Sequence, residues 1–143
     1  MGYKEELKEL KKIRKEKIKT MFKNPFQIGD ILEHSWGWEQ TNIDFYQVVG
    51  VTEKSIVLKP IHSKMLLSTN GGMCNTVIPD KDNFKDNVGA IVETYNKKIS
   101  EVTKKVCALF KDDAMTKISY FVNVPYGWCD KWDGKPTQET HYA

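Results

Sequence analysis

The sequence lacks most of the features that identify a small protein's chemistry at sight. No apolar run approaches the roughly 18 residues that a membrane-crossing helix needs, and the lysine-rich N-terminus is not followed by the apolar core of a signal peptide. There is no acidic excess: 22 Lys/Arg stand against 19 Asp/Glu, a formal charge of +3, which gives no support to a protein that mimics nucleic acid with a strongly acidic surface. Cysteine is scarce and odd in number. Cys74, Cys107 and Cys129 have no CxxC spacing, so a reduced thiol set in a cytosolic protein is expected. Histidine occurs three times, with no HxH or HExxH spacing, so no metal is expected. Asn70-Gly71-Gly72 is not followed by the Gly-Lys-Ser/Thr ending of a phosphate loop, and no cofactor is expected.

What remains is an ordinary globular composition, 40% hydrophobic and 29% charged over 143 residues, enough for one domain with a core. The charge is unevenly spread. Residues 4–23 carry nine Lys/Arg and four Glu, about +5, leaving 13 basic against 15 acidic residues elsewhere. Tyr3, Leu7, Leu10, Ile18 and Met21 recur near the helical period, with Arg14 interrupting the stripe. Glu5–Lys8 and Glu9–Lys12 support a helix locally, and Asn24-Pro25 ends it. The expected organisation is therefore a basic N-terminal helix over 1–24 and a β-rich domain over 25–143. The helix is expected to lay a thin apolar stripe on the domain; an arm for nucleic acid or a partner is the sharper alternative.

Beyond Pro25 the grammar becomes that of strands. Residues 43–51 are rich in β-branched and aromatic types, Thr52–Ser55 is a polar turn, and Ser55–His62 alternates, with Ile56, Leu58 and Pro60 on one face. Met73–Pro79 and Thr116–Val124 read as further strands. Between them, the stripe of Val88, Val92, Tyr95 and Ile99 favours a helix near 87–100, although Ile91–Tyr95 is also strand material, and residues 103–110 predict a strand. Pro125–Ala143 reads as a Trp- and Gly-containing tail. Short strands without a βαβ rhythm predict an α+β fold: a small antiparallel β-barrel or bent sheet, SH3-like, with two helices.

Two segments concentrate large aromatics and amides. Ser35–Tyr46 holds Trp36, Trp38, Gln40, Thr41, Asn42, Asp44 and Tyr46; the C-terminal segment holds Trp132, Asp133, Lys135, Thr140, His141 and Tyr142. Indole faces beside side chains that read donor and acceptor edges suit a planar polar ligand such as a nucleobase, with lysine available for a phosphate. The same residues could equally fill a core and satisfy turns. Acid–base work by Asp44 or Glu39 with His141, or a Cys129–His141 nucleophile, would require convergence that the sequence does not display.

Ser35-Trp36-Gly37-Trp38-Glu39-Gln40-Thr41-Asn42-Ile43-Asp44-Phe45-Tyr46, after Gly29-Asp30-Ile31, and Trp132-Asp133-Gly134-Lys135-Pro136 through Thr140-His141-Tyr142-Ala143 resemble a family of small proteins from phages and mobile elements. Its members show a "SWGYDQTNVDFY" segment and finish with "WDGKP…THYA". Pro79–Phe84 looks like a family loop, while the N-terminal helix and the residues around 86–100 are longer here. The resemblance implies a setting in the bacterial host cytosol and a meeting of the two segments in space. It supplies no mechanism. The expected function is a non-enzymatic binding protein that holds a nucleotide or a nucleic-acid segment, in a counter-defence role. A protein-binding inhibitor of a host enzyme is the alternative, and a small hydrolase or nuclease the third reading. A homo-oligomer is compatible with the helix stripes, and no membrane partner is expected.

Overall fold

The computed structural model describes residues 2–37, 40–69, 73–86, 101–125 and 127–140. Among the described residues one helix, α1 (Tyr3–Met21), precedes nine strands: β1 (Ile31–Trp36), β2 (Asn42–Val51), β3 (Ser55–Thr69), β4 (Cys74–Phe84), β5 (Val102–Lys105), β6 (Cys107–Phe110), β7 (Ile118–Val124), β8 (Gly127–Lys131) and β9 (Thr137–Thr140). All pairings are antiparallel. Strands β6-β7-β8-β1-β2-β3-β4-β9 follow one another across the sheet, and β5 pairs with the first half of β3. Because β5 runs on through Val106 into β6, one interrupted strand reaches from β3 back to β7, so the sheet curls into a half-barrel. The α+β class and the bent antiparallel sheet follow the reading of the sequence.

Curling puts apolar residues on both faces of the central strands. On one side Phe26, Leu32, Tyr46, Val48, Ile56, Leu58, Val106, Val122, Val124 and Cys129 form the main core. On the other side Ile43, Phe45, Ile61 and Val77 form a smaller cluster under Ile31 and Trp132. This explains the near-continuous apolar run of β2: alternate residues feed alternate clusters. A register shift between Val48 and Gly50 adds the local twist that bends β2. Gln47, also buried, donates to Asp82 Oδ1 (2.8 Å) and accepts from the Asp82 backbone N–H (2.8 Å), which clamps β4 to β2 and holds Asp82 at φ +67°.

Several boundaries differ from the sequence reading. Strand β3 continues to Thr69 and β4 to Phe84, so Pro79–Phe84 is strand and not loop. The expected strand at 103–110 is two strands broken at Val106, whose N–H bonds the Lys54 carbonyl at the hairpin turn. The expected tail contains β8 and β9, strands made by pairing with β1 and β4 more than by their own composition. The expected helix near 87–100 lies outside the described residues. The stripe of α1 is not laid on the domain: no residue of the helix is buried. The helix borders the domain through Ile18 and Lys19, beside Val106 and Cys107, and through an exposed Arg14–Asp113 pair (3.6 Å); just past its end Phe22 meets Tyr120 edge to face (5.5 Å) and the Tyr120 hydroxyl accepts from the Lys23 backbone N–H (3.2 Å).

Candidate functional site

Strands β1 and β2 pair in register from Ile31↔Gln47 to Trp36↔Asn42, so His34 faces Asp44 and Trp36 faces Asn42. These four side chains crown the same sheet face that carries Leu32 and Tyr46 into the core. His34 is fully buried and stacks near Trp36, with centroids 6.4 Å apart. The Trp36 indole N–H donates to Asp44 Oδ2 (2.7 Å), and the Gln40 amide donates to Asn42 Oδ1 (3.3 Å). Gly37, at φ +126°, lets the chain turn directly after Trp36. A Cβ there would stand 2.1 Å from the Gln40 carbonyl oxygen, so no side chain fits. The Gln40–Asn42–Asp44 edge expected to read a ligand is thus occupied in large part by bonds within the turn. Tyr46, also expected at the site, stands in the main core at 2% exposure, where burial raises its hydroxyl pKa.

The structure brings the two segments together. The Thr41 backbone N–H donates to Thr140 Oγ1 (2.8 Å), and the Thr140 N–H donates to the Thr41 carbonyl (3.0 Å). Trp132 packs its ring on Phe45 (6.3 Å, edge to face) and donates its indole N–H to the Lys135 carbonyl (2.8 Å); Asp133 Oδ1 accepts from the Lys135 N–H (2.9 Å). Trp132, Asp133 and Lys135 therefore build a closed turn, with the Lys135 side chain left at the surface. Trp38, His141 and Tyr142 lie outside the described residues.

A cleft of about 320 Å³ opens beside this junction, lined by Glu33, Ser35, Gly127, Trp128, Asp130, Lys131 and Asp133. Its floor follows from register. Glu33 on β1 sits directly opposite Asp130 on β8; Ser35 shares the Glu33 face and Trp128 shares the Asp130 face, two residues along each strand. The inward neighbours, Leu32 and Cys129, are both fully buried, and burial pushes the Cys129 thiol up to about 12. The outward face thus collects three carboxylates. Desolvation raises the Glu33 pKa, helped by Asp133 and Asp130 and opposed by a bond from Thr137 Oγ1 (3.4 Å). Asp130, though more exposed, is raised as well, first by desolvation and then by Asp133, opposed by a backbone hydrogen bond and by the charge of Lys111. Lys131 is the cleft's single cation, and its Nζ lies 3.7 Å from Asp30 Oδ2. Trp128 is 61% exposed, an indole face left toward solvent at the rim.

No protein-family model, no curated protein and no solved structure matches the chain.

The cleft is chemically suited to a cation. Its three carboxylates repel one another, so an arriving ammonium or guanidinium relieves a strain already present. The Trp128 face adds an attraction of the cation–π kind. Among the described residues no three His, Cys, Asp or Glu side chains are grouped to hold a metal ion, so the acids spread around the cleft. Sequence reasoning placed Asp133 near a site but missed Glu33, Trp128 and Asp130. Their juxtaposition comes from the β1–β8 pairing of residues almost a hundred positions apart. The one signal for it was Trp128, a large aromatic directly after a glycine.

Proposed function

We propose that the protein is a non-catalytic binding module that holds a cationic side chain of a partner protein, lysine or arginine, in the cleft between β1 and β8. The observation that carries this reading is the facing pair Glu33 and Asp130, joined by Asp133 and overlooked by exposed Trp128. Like charges directly opposite on an antiparallel pair destabilise a sheet. Retaining them in one place, beside an uncovered indole, fits a surface shaped for a ligand more than for its own stability.

This reading belongs to the protein-binding class that the sequence offered as its alternative. A nucleotide or nucleic-acid segment at the same junction finds little support: the three carboxylates, Glu33, Asp130 and Asp133, disfavour a phosphate there. The resemblance to phage and mobile-element proteins suits a partner met in a bacterial host.

The test is a titration with acetylated, amidated tri-arginine and tri-lysine peptides, followed by Trp fluorescence. Wild type is expected to bind with affinity that falls with salt. Glu33→Gln with Asp130→Asn, and separately Trp128→Ala, should each weaken binding at least tenfold. Tighter binding of a mononucleotide or single-stranded oligonucleotide than of either peptide, abolished by Trp128→Ala, would overturn the proposal in favour of the nucleotide reading.

A further inference from the structure

Helix α1 meets the domain along a single line of side chains. Arg14, Ile18 and Phe22, each four residues from the next and so on one face, are half-buried, while every other residue from 2 to 23 is exposed. Beside Ile18 and Phe22 lies a cavity of about 550 Å³, larger than the cleft between β1 and β8 and within the range of small-molecule sites. Its far side is built by register. The Val106 N–H bonds the Lys54 carbonyl (2.8 Å), and Lys105 stands opposite Ser55, so the break between β5 and β6 is held against the turn between β2 and β3. That brings Lys54 and Lys105 to the same cavity as Lys19 from the helix. Val106 and Ala108 line it from the sheet, facing Ile18 and Phe22.

We propose that this cavity binds an organic anion with an apolar body, of the acyl-carboxylate class. Two features of its lining select that chemistry. Among the described lining residues, Lys19, Lys54 and Lys105 stand against the single carboxylate of Glu53, so a negative head is favoured. The last turn of α1 brings partial negative charge to the same place, but its Ile18 carbonyl is already taken by the Phe22 N–H (2.7 Å), and three ammonium groups outweigh the rest. None of those lining residues is Ser, Thr, Asn or Gln. Nothing there reads the donor and acceptor edges of a base, and a nucleotide would leave Ile18, Phe22, Val106 and Ala108 beside a polar ring. A hydrocarbon chain covers all four, and its carboxylate meets the lysines. The site shares no residue with the cleft between β1 and β8, so its outcome and that of the cleft are independent.

Cys107, half-buried in the same lining, reports occupancy directly. The experiment titrates the full chain with decanoate, decanol and decylamine, each below its solubility limit and micellar range, by displacement of a dansylated undecanoate. A second arm follows alkylation of Cys107 by iodoacetamide in Cys74→Ser, where the remaining thiol, Cys129, is fully buried. Decanoate is expected to bind at least tenfold more tightly than decanol or decylamine, less tightly as salt rises, and to slow Cys107 alkylation at least threefold at saturation. Lys54→Glu with Lys105→Glu should weaken decanoate at least tenfold, as should Ile18→Trp, which fills the cavity from the helix side, while circular dichroism shows the fold intact. No decanoate binding overturns the proposal, as does equal binding of decanol or decylamine. Cys107 alkylation unchanged at saturating decanoate also overturns it, because the ligand then sits elsewhere, and so does full affinity in Lys54→Glu with Lys105→Glu.

Discussion

Replacing Glu33 by glutamine should stabilise the protein while damaging its proposed binding. Glu33 and Asp130 are direct partners across β1 and β8, and Asp133 adds a third negative charge to the same cleft. Cross-strand pairs contribute roughly 0.2–1 kcal/mol, and like charges in that position act with the opposite sign. Glutamine keeps the length of the side chain and an oxygen that can still accept the long bond from Thr137 Oγ1. The expected gain at neutral pH is therefore about 0.5 kcal/mol, which corresponds to a rise in Tm of roughly 1–2 °C for a chain of this size. The pH dependence has a definite sign. A carboxyl whose pKa is raised on folding holds its proton more tightly in the folded chain than in the unfolded one. The penalty is absent below the ordinary glutamate value of about 4.3 and complete above the raised value. The advantage of Glu33→Gln over wild type should thus be largest near neutrality and shrink as the pH falls toward about 4. Asp130→Asn should behave alike. The double substitution should gain less than the two single gains together, because either one removes the shared repulsion. Thermal unfolding of the four proteins across this pH range decides the matter. A Glu33→Gln variant less stable than wild type at neutral pH, or single gains that add in full, would refute the reasoning.

Three further outcomes follow from the junction. Asp44→Ala removes the acceptor of the Trp36 indole N–H and should cost about 1.5–3 kcal/mol in denaturant unfolding, with a changed near-ultraviolet Trp signal. Gly37→Ala places a Cβ against the Gln40 carbonyl and forces φ +126° on an L residue; a loss of at least about 1 kcal/mol is expected, and a neutral result would mean that the turn relaxes freely. Trp132→Phe should cost about 1 kcal/mol through the bond to the Lys135 carbonyl yet leave tri-arginine binding intact, whereas Trp128→Ala should do the reverse.

The sheet was legible where packing and composition agree. Ile43, Phe45, Val48, Ile56 and Leu58 are β-formers and are all buried, so β2 and the start of β3 could be read directly. Strands β8 and β9 could not. Gly127–Lys131 buries only Cys129, and Thr137–Thr140 is polar throughout, so each is a strand because a neighbour pairs with it. The periodicity of α1 predicted the helix correctly but not its fate. An apolar stripe reports that a face avoids water and does not say what covers it. The candidate site was half legible for a related reason. The aromatic segments drew attention to their own side chains, several of which turn out to serve the turn and the core. The carboxylates that shape the cleft are ordinary surface residues until register sets Glu33 against Asp130.

The most direct test of the central claim is calorimetric titration of tri-arginine peptide into wild type at several pH values from about 4 to 7, in two buffers of different ionisation enthalpy. A cation seated among carboxylates with raised pKa values lowers those values and drives protons into the buffer. The account predicts net proton release on binding that disappears in Glu33→Gln with Asp130→Asn. Binding without proton release, or release that persists in the double variant, would contradict it.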